Sequence, residues 1–210
     1  MEAQLGLKGS PDAESAFRTI ASRSSRLNRR IDDLLRVAQS DSGQLALDMA
    51  TVELSRIAAE AVEEIRAELD NAGMSLELDD IPNAMIRCDM NWLRQTIVSL
   101  FRNTIRHARS GIRVQLSAEI SDGMAGLAVI DNGPGIAIAD QARIFDRFTQ
   151  GGTGNSQGFG VGLALARWVT EAQEGRIELV SPVPRDLALE GAPGTKITVR
   201  LPRAHRSSER

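Results

Sequence analysis

Asp131-Asn132-Gly133-Pro134-Gly135-Ile136 is the stretch on which the reading of this chain turns. Two glycines flanking a proline break an extended run and let backbone approach a bound group closely, while Asp131 sets a carboxylate where the run stops. Taken alone, the hexapeptide is equally an ordinary turn. Its setting is more specific. Ile112 to Ile120 and Met124 to Ile130 read as two alternating strands joined by Asp122-Gly123, a strong hairpin signal, so Asp131 falls at the end of the hairpin's second strand.

Downstream lies Gly158-Phe159-Gly160-Val161-Gly162-Leu163, with Gly151, Gly152 and Gly154 just before it. Alternate glycines leading into a helix leave several backbone amides free at its positive end, which holds phosphate without a basic cluster. No Gly-Lys-Ser/Thr follows and no βαβ unit surrounds the stretch, so it is neither a Walker loop nor a Rossmann fingerprint. A flexible linker is the plainer reading, and apolar Val161, Leu163 and Leu165 argue against it. Val161 to Ala172 reads as the helix, followed by strands at Arg176 to Val180 and Lys196 to Leu201 across a proline-rich loop from Pro182 to Pro193.

Upstream of the hairpin, Trp92, Leu93, Ile97, Leu100, Phe101 and Ile105 form a helical stripe. The same helix carries Ser99, Asn103, Arg106 and His107, whose spacings of four, three and one place them on roughly one face. An amide, a cation and an imidazole there suit a metal and a phosphate tail, although a polar helix surface has the same pattern. Before it come short extended segments, Ser75 to Leu78 and Ala84 to Cys88, and an amphipathic helix marked by Leu54, Ala58, Ala61, Ile65 and Leu69 that follows a connector. Strands gathered against helices on one side give an α+β two-layer sandwich.

The N-terminal part differs. Ser10-Pro11-Asp12 starts a helix, and Phe17, Ile20, Leu27, Ile31, Leu34 and Ala38 follow a coiled-coil or bundle seam that ends at Gly43. Such a seam needs partner helices that Met1 to Leu7 are too short to supply, so the chain reads either as cut within a helical hairpin or as borrowing helices from a second copy, a homodimer through residues 13–40. The expected organisation is a helical arm over 1–46, an α/β domain over 47–202 and a disordered tail over 203–210.

Composition agrees with a folded domain. At 42% hydrophobic and 25% charged residues, wholesale disorder and a collagen-like rod are excluded. A net charge of −3 and only 3% aromatic residues argue against nucleic acid as the main partner. Cys88 is the sole cysteine, so there is neither an intrachain disulfide nor a cysteine zinc cluster, and a reducing cytoplasm fits. No apolar run spans a membrane and no signal peptide opens the sequence, so any anchor is expected to lie upstream.

The three elements, in this order and with Ile144-Phe145-Asp146-Arg147-Phe148 between the glycine-bearing stretches, resemble the ATP-binding domain of sensor histidine kinases, of the Bergerat-fold (GHKL) superfamily. The likeness covers roughly residues 50–202. Asn103 falls at the family's magnesium-binding asparagine in the N box, and Asp131, Gly133 and Gly135 form the G1 box. Ile144 to Phe148 correspond to the F box and Gly158, Gly160 and Gly162 to the G2 box. Leu27 to Leu35 and the Ser40-Asp41-Ser42-Gly43 exit are similar to the second helix of the family's dimerisation domain.

The resemblance implies ATP and Mg²⁺ as cofactors and transfer of the γ-phosphoryl group to a histidine, from which a response regulator receiver domain takes it. It implies that Asp131 accepts the adenine amine, that Asn103 holds the metal, and that Ile136 and Leu163 line the adenine slot. Ser99, Arg106, His107, Phe145, Arg147, Phe148, Val161 and Thr195 join the implied nucleotide contacts.

Several positions depart from the family pattern. Arg106 replaces a usual lysine and keeps its charge, and Ser99 replaces an asparagine, or the catalytic glutamate of the superfamily's ATPases. Without that carboxylate a hydrolase of the topoisomerase or chaperone type is disfavoured. Thr149 to Ala166 contains no Lys or Arg. Only His107 and His205 are present and neither resembles a phosphoacceptor, so that histidine is expected upstream of Met1. The chain alone should bind Mg-ATP yet take up no label from γ-labelled ATP, and labelling would contradict this. The competing readings are a nucleotide-binding pseudokinase or scaffold acting through its helical arm, and an anti-sigma-like serine kinase of the same fold.

Overall fold

The computed structural model describes residues 46–107, 112–146, 161–190 and 193–204, all within the second of the chain's two units, Gln44–Arg210. The expected seam helix, Arg147, Phe148, Gly158, Gly160 and the final residues 205–210 lie outside the described residues.

In chain order the elements are β1 (Ala50–Glu53), α1 (Leu54–Asn71), β2 (Ser75–Leu78), β3 (Met85–Cys88), α2 (Met90–His107), β4 (Arg113–Ser121) and β5 (Met124–Asp131). They continue with α3 (Ile138–Gln141), α4 (Gly162–Ala172), β6 (Arg176–Val180) and β7 (Thr195–Pro202). One sheet has the order β2-β4-β5-β7-β6, with β2 parallel to β4 and the other pairs antiparallel, while β1 and β3 form a separate antiparallel pair. The α+β two-layer sandwich expected from the sequence is the observed fold.

Local chemistry explains the elements. Helix α1 buries Ile57, Ala61, Ile65 and Leu69 at helical spacing and ends where Gly73 takes a left-handed φ of 68°, so that Met74 N–H can return to the Leu69 carbonyl at 3.0 Å. Helix α2 is capped by Asp89, whose Oδ1 accepts Trp92 N–H at 3.1 Å, and it buries Leu93, Ile97, Leu100 and Phe101. Both residues of the β4–β5 turn, Asp122 and Gly123, have positive φ (51° and 74°), the geometry that an Asp-Gly hairpin turn requires.

The core lies between the helices and one sheet face, where Val114, Leu116, Leu127, Val129, Ile197 and Val199 meet the α2 stripe. The opposite face has two coverings. Over Ala128 and Ile130 lie Val183, Ala188 and Leu189 of the 181–190 loop. Farther along, Arg200 faces Gly126 of β5, which has no side chain in its way, and so reaches Glu178 at 3.1 Å on the adjacent β6 and, across β5, Ser121 at 2.9 Å with Glu119 on β4.

Three features were not read from the sequence. Residues 50–53, within the expected connector, form β1. The turn α3 follows the G1 stretch, with Ile138 84% exposed and so without an amphipathic signal. Arg203 and Ala204, assigned to the tail, are held by bonds from their N–H groups to Gly123 O (2.9 Å) and Met85 O (2.8 Å).

Candidate functional site

Asp131 is the last residue of β5. Its Oδ1 accepts Gly133 N–H at 2.8 Å and its Oδ2 accepts the Thr104 hydroxyl at 3.3 Å, with a further bond from the Thr195 backbone. Burial raises the carboxyl above the ordinary aspartate range, and these three donors only partly offset it. Thr195, at the start of β7, thus lies against Asp131 through its main chain.

The glycine turn after Asp131 is fixed from several sides. Asn132 Oδ1 accepts Arg113 N–H at 2.7 Å, and its Nδ2 donates to Glu190 O at 2.7 Å. Gly135 has φ 74°, and a Cβ there would meet Ser181 Oγ at 3.1 Å and Gly194 O at 3.3 Å. Ile136 N–H donates to Ser181 Oγ (2.8 Å), and that hydroxyl donates to Gly194 O (2.8 Å). Gln141 of α3 closes the knot, its Nε2 bonding Ile136 O at 2.9 Å and Ser181 O at 2.6 Å.

Helix α2 forms the shared wall. Thr104 touches Asp131, and one turn earlier Ser99 meets the start of α4, where a Cβ on Gly162 would stand 3.0 Å from Ser99 Oγ. Asn103 lies between these contacts, half-buried, and its amide has no hydrogen-bond partner among the described residues. Arg106 and His107 stand at the C-terminal end with surface open to solvent, and partial burial of the imidazole, then the Arg106 charge, hold it below its ordinary range.

Val161 precedes α4 and is buried, while Leu163 packs partly against the core. No side chain among the described residues caps this helix, and first-turn amides of a helix suit an anionic acceptor. Phe145 is half-buried in the turn after α3. Among the described residues no three His, Cys, Asp or Glu side chains converge on a metal site. Cys88 takes no part: burial, then the Asp89 charge, push its thiol up to about 12, which keeps it protonated and inert.

The structure therefore links Asp131, Gly133, Gly135, Ile136 and Thr195 in one set of contacts and sets Gly162 against Ser99 of α2, the helix that also carries Asn103. Sequence reasoning missed Thr104, Gln141, Ser181 and Gly194. Thr104 adjoins Asn103 and could have been found by asking which α2 residue faces the end of β5. The other three carry no local signal.

Residues 88–205 match the model of the histidine kinase-, DNA gyrase B- and HSP90-like ATPases. The chain belongs to this family. It is 34% identical over 191 residues to the probable sensor histidine kinase TcrY of Mycobacterium tuberculosis, an alignment that covers 89% of this chain and 38% of TcrY. Among solved structures, Acinetobacter baumannii histidine kinase AdeS superposes with a TM-score of 0.71 at 22% identity, over 95% of this chain and 88% of that one. Full-length ShkA in complex with AMPPNP gives 0.76 at 23% identity, over 96% of this chain and 41% of ShkA. At these identities the superpositions establish the fold. The chain spans well under half the length of TcrY. No described helix is long and apolar enough to cross a membrane.

Proposed function

We propose that this ATPase-family domain binds Mg-ATP and serves as the catalytic portion of a two-component sensor histidine kinase, donating the γ-phosphoryl group to a histidine outside this chain. The observation that carries this reading is the convergence on α2: Asp131 touches it at Thr104, the start of α4 meets it at Ser99, and the Asn103 amide, without a hydrogen-bond partner among the described residues, lies between.

The residues fit the cofactors. A carboxylate fixed by three donors is a rigid acceptor for an adenine amine, which guanine lacks at that position. The first-turn amides of α4 and the Arg106 guanidinium suit the phosphates, with His107 neutral beside them. The Asn103 amide oxygen suits a divalent ion that offsets phosphate charge. Gly133, Gly135, Ile136, Val161, Leu163, Phe145 and Thr195 would surround the base and sugar, and Arg147, Phe148, Gly158 and Gly160 would complete the enclosure. Ser99, in place of a carboxylate, leaves no general base for water and favours phosphotransfer over hydrolysis. The partners implied are a second copy through residues 13–40 and a response regulator receiver domain.

Calorimetric titration with ATP tests the reading. Binding should require Mg²⁺ for full strength. Asn103→Ala should lose roughly ten- to hundredfold of affinity in Mg²⁺, as expected for one ligand to a charged group, and should respond little to a chelator. Absence of ATP binding in the presence of Mg²⁺ would end the proposal.

A further inference from the structure

At the end of α2 remote in sequence from Asn103, Asp89 and Gln173 form a buried polar knot, 6% and 1% exposed. Asp89 Oδ1 caps α2 through Trp92 N–H at 3.1 Å, and the Asp89 carbonyl accepts Leu93 N–H at 3.0 Å. Its second oxygen, Oδ2, is committed elsewhere: it accepts the backbone N–H of Asp48 at 2.9 Å, on the segment that brings the chain into β1. The Asp89 N–H donates to Gln173 Oε1 at 2.7 Å, and Gln173 Nε2 donates to Val169 O at 3.0 Å in the last turn of α4.

A helix cap needs one carboxylate oxygen. Here the same residue also fastens a segment 41 positions earlier and a side chain 84 positions later. Helix α4 thus lies against α2 at both ends: Gly162 is close enough to Ser99 that a Cβ would stand 3.0 Å from its Oγ, and at the far end Gln173 is hydrogen-bonded to Asp89. Helices are stiff along their axes, so a shift at the knot is carried to Asn103 and to the α4 amides rather than absorbed between them.

We propose that Asp89 and Gln173 are positioning residues that couple nucleotide occupancy to the seating of the incoming chain at Asp48. The inference rests on the nucleotide-binding reading above. Coupling of this kind is reciprocal: bound nucleotide steadies the Asp48 latch, and release of the latch loosens nucleotide by the same factor.

Two variants separate the parts. Asp89→Asn keeps one oxygen and places an amide N–H group against either Asp48 or Trp92, so one of those bonds is lost with little change in shape. Gln173→Leu has similar size and removes both Gln173 bonds. The full 210-residue chain is titrated with Mg-ADP, and amide hydrogen exchange over residues 46–50 is followed with and without it. In the wild type, Mg-ADP should slow exchange at Asp48 several-fold. Each variant should bind Mg-ADP about five- to tenfold more weakly and lose that slowing. Val62→Ala, a truncation in α1 away from the knot, should lower the melting temperature while leaving Mg-ADP affinity intact.

Unchanged affinity in both variants, or an equal loss in Val62→Ala, would overturn the coupling and leave nucleotide binding standing. A wild-type chain that binds no Mg-ADP would overturn the nucleotide reading and this inference with it.

Discussion

Gly194→Ala should both unfold the domain at lower temperature and abolish nucleotide binding. Gly194 has φ 66°, and a Cβ there would stand 2.3 Å from the Asp131 carbonyl oxygen and 3.3 Å from Val183 Cγ2. The near contact is backbone on a central strand, which cannot rotate away as a side chain would. The left-handed conformation costs an L-residue about 1–2 kcal/mol, and forcing the two segments apart adds about 1–3 kcal/mol. For a chain of this size that corresponds to a fall of roughly 5–15 °C in melting temperature. Function should suffer separately, because Gly194 N–H donates to Gly133 O at 3.0 Å and Gly194 O accepts the Ser181 hydroxyl that holds Ile136. A melting temperature within about 2 °C of wild type would show that the strand ends yield more easily than this geometry allows.

Asp131→Asn should act in the opposite sense on stability and in the same sense on binding. Gly133 N–H holds the amide oxygen of the variant, so its nitrogen takes the place of Oδ2, where Thr104 Oγ1 can accept from it. An adenine amine then meets a donor instead of an acceptor. Loss of that buried acceptor costs about 1–3 kcal/mol, and ATP affinity should fall roughly ten- to hundredfold by calorimetry. The free protein should gain.

Because burial raises the Asp131 carboxyl in the folded state, its favourable contribution is present below the unfolded aspartate pKa and is lost as pH rises through the folded value. At neutral pH the wild type therefore folds against a desolvated charge that asparagine lacks. Thermal melts should find the variant at least as stable as wild type at pH 7, with its relative advantage gone at strongly acidic pH. A lower melting temperature at pH 7 would mean that the three donors to Asp131 outweigh its burial.

How much of this was legible in the sequence follows from how local each signal is. The β4–β5 hairpin was readable because Asp122-Gly123 specifies its turn within two residues. Helices α1, α2 and α4 were readable because their apolar spacing repeats over several turns. Strand β1 was not, since only Val52 of its four residues is buried and its pairing with β3 lies more than thirty residues away. The parallel pairing of β2 with β4 and the fold of the 181–190 loop over Ala128 and Ile130 are likewise products of tertiary contact.

The site shows the same division. Asp131, the flanking glycines and Asn103 announce themselves by residue type and order. Thr104, Gln141 and Ser181 are common polar residues whose roles arise only when β5, α3 and the β6–β7 loop meet. The contact of Thr195 with Asp131 runs through the main chain, so side-chain chemistry gave no warning of it.

The sheet finishes on β2 and β6, strands of four and five residues, and β6 turns Arg176 and Glu178 outward. Short charged margins give another copy little backbone to zip onto. Edge-to-edge pairing of such domains into a continuous β-ribbon is therefore disfavoured.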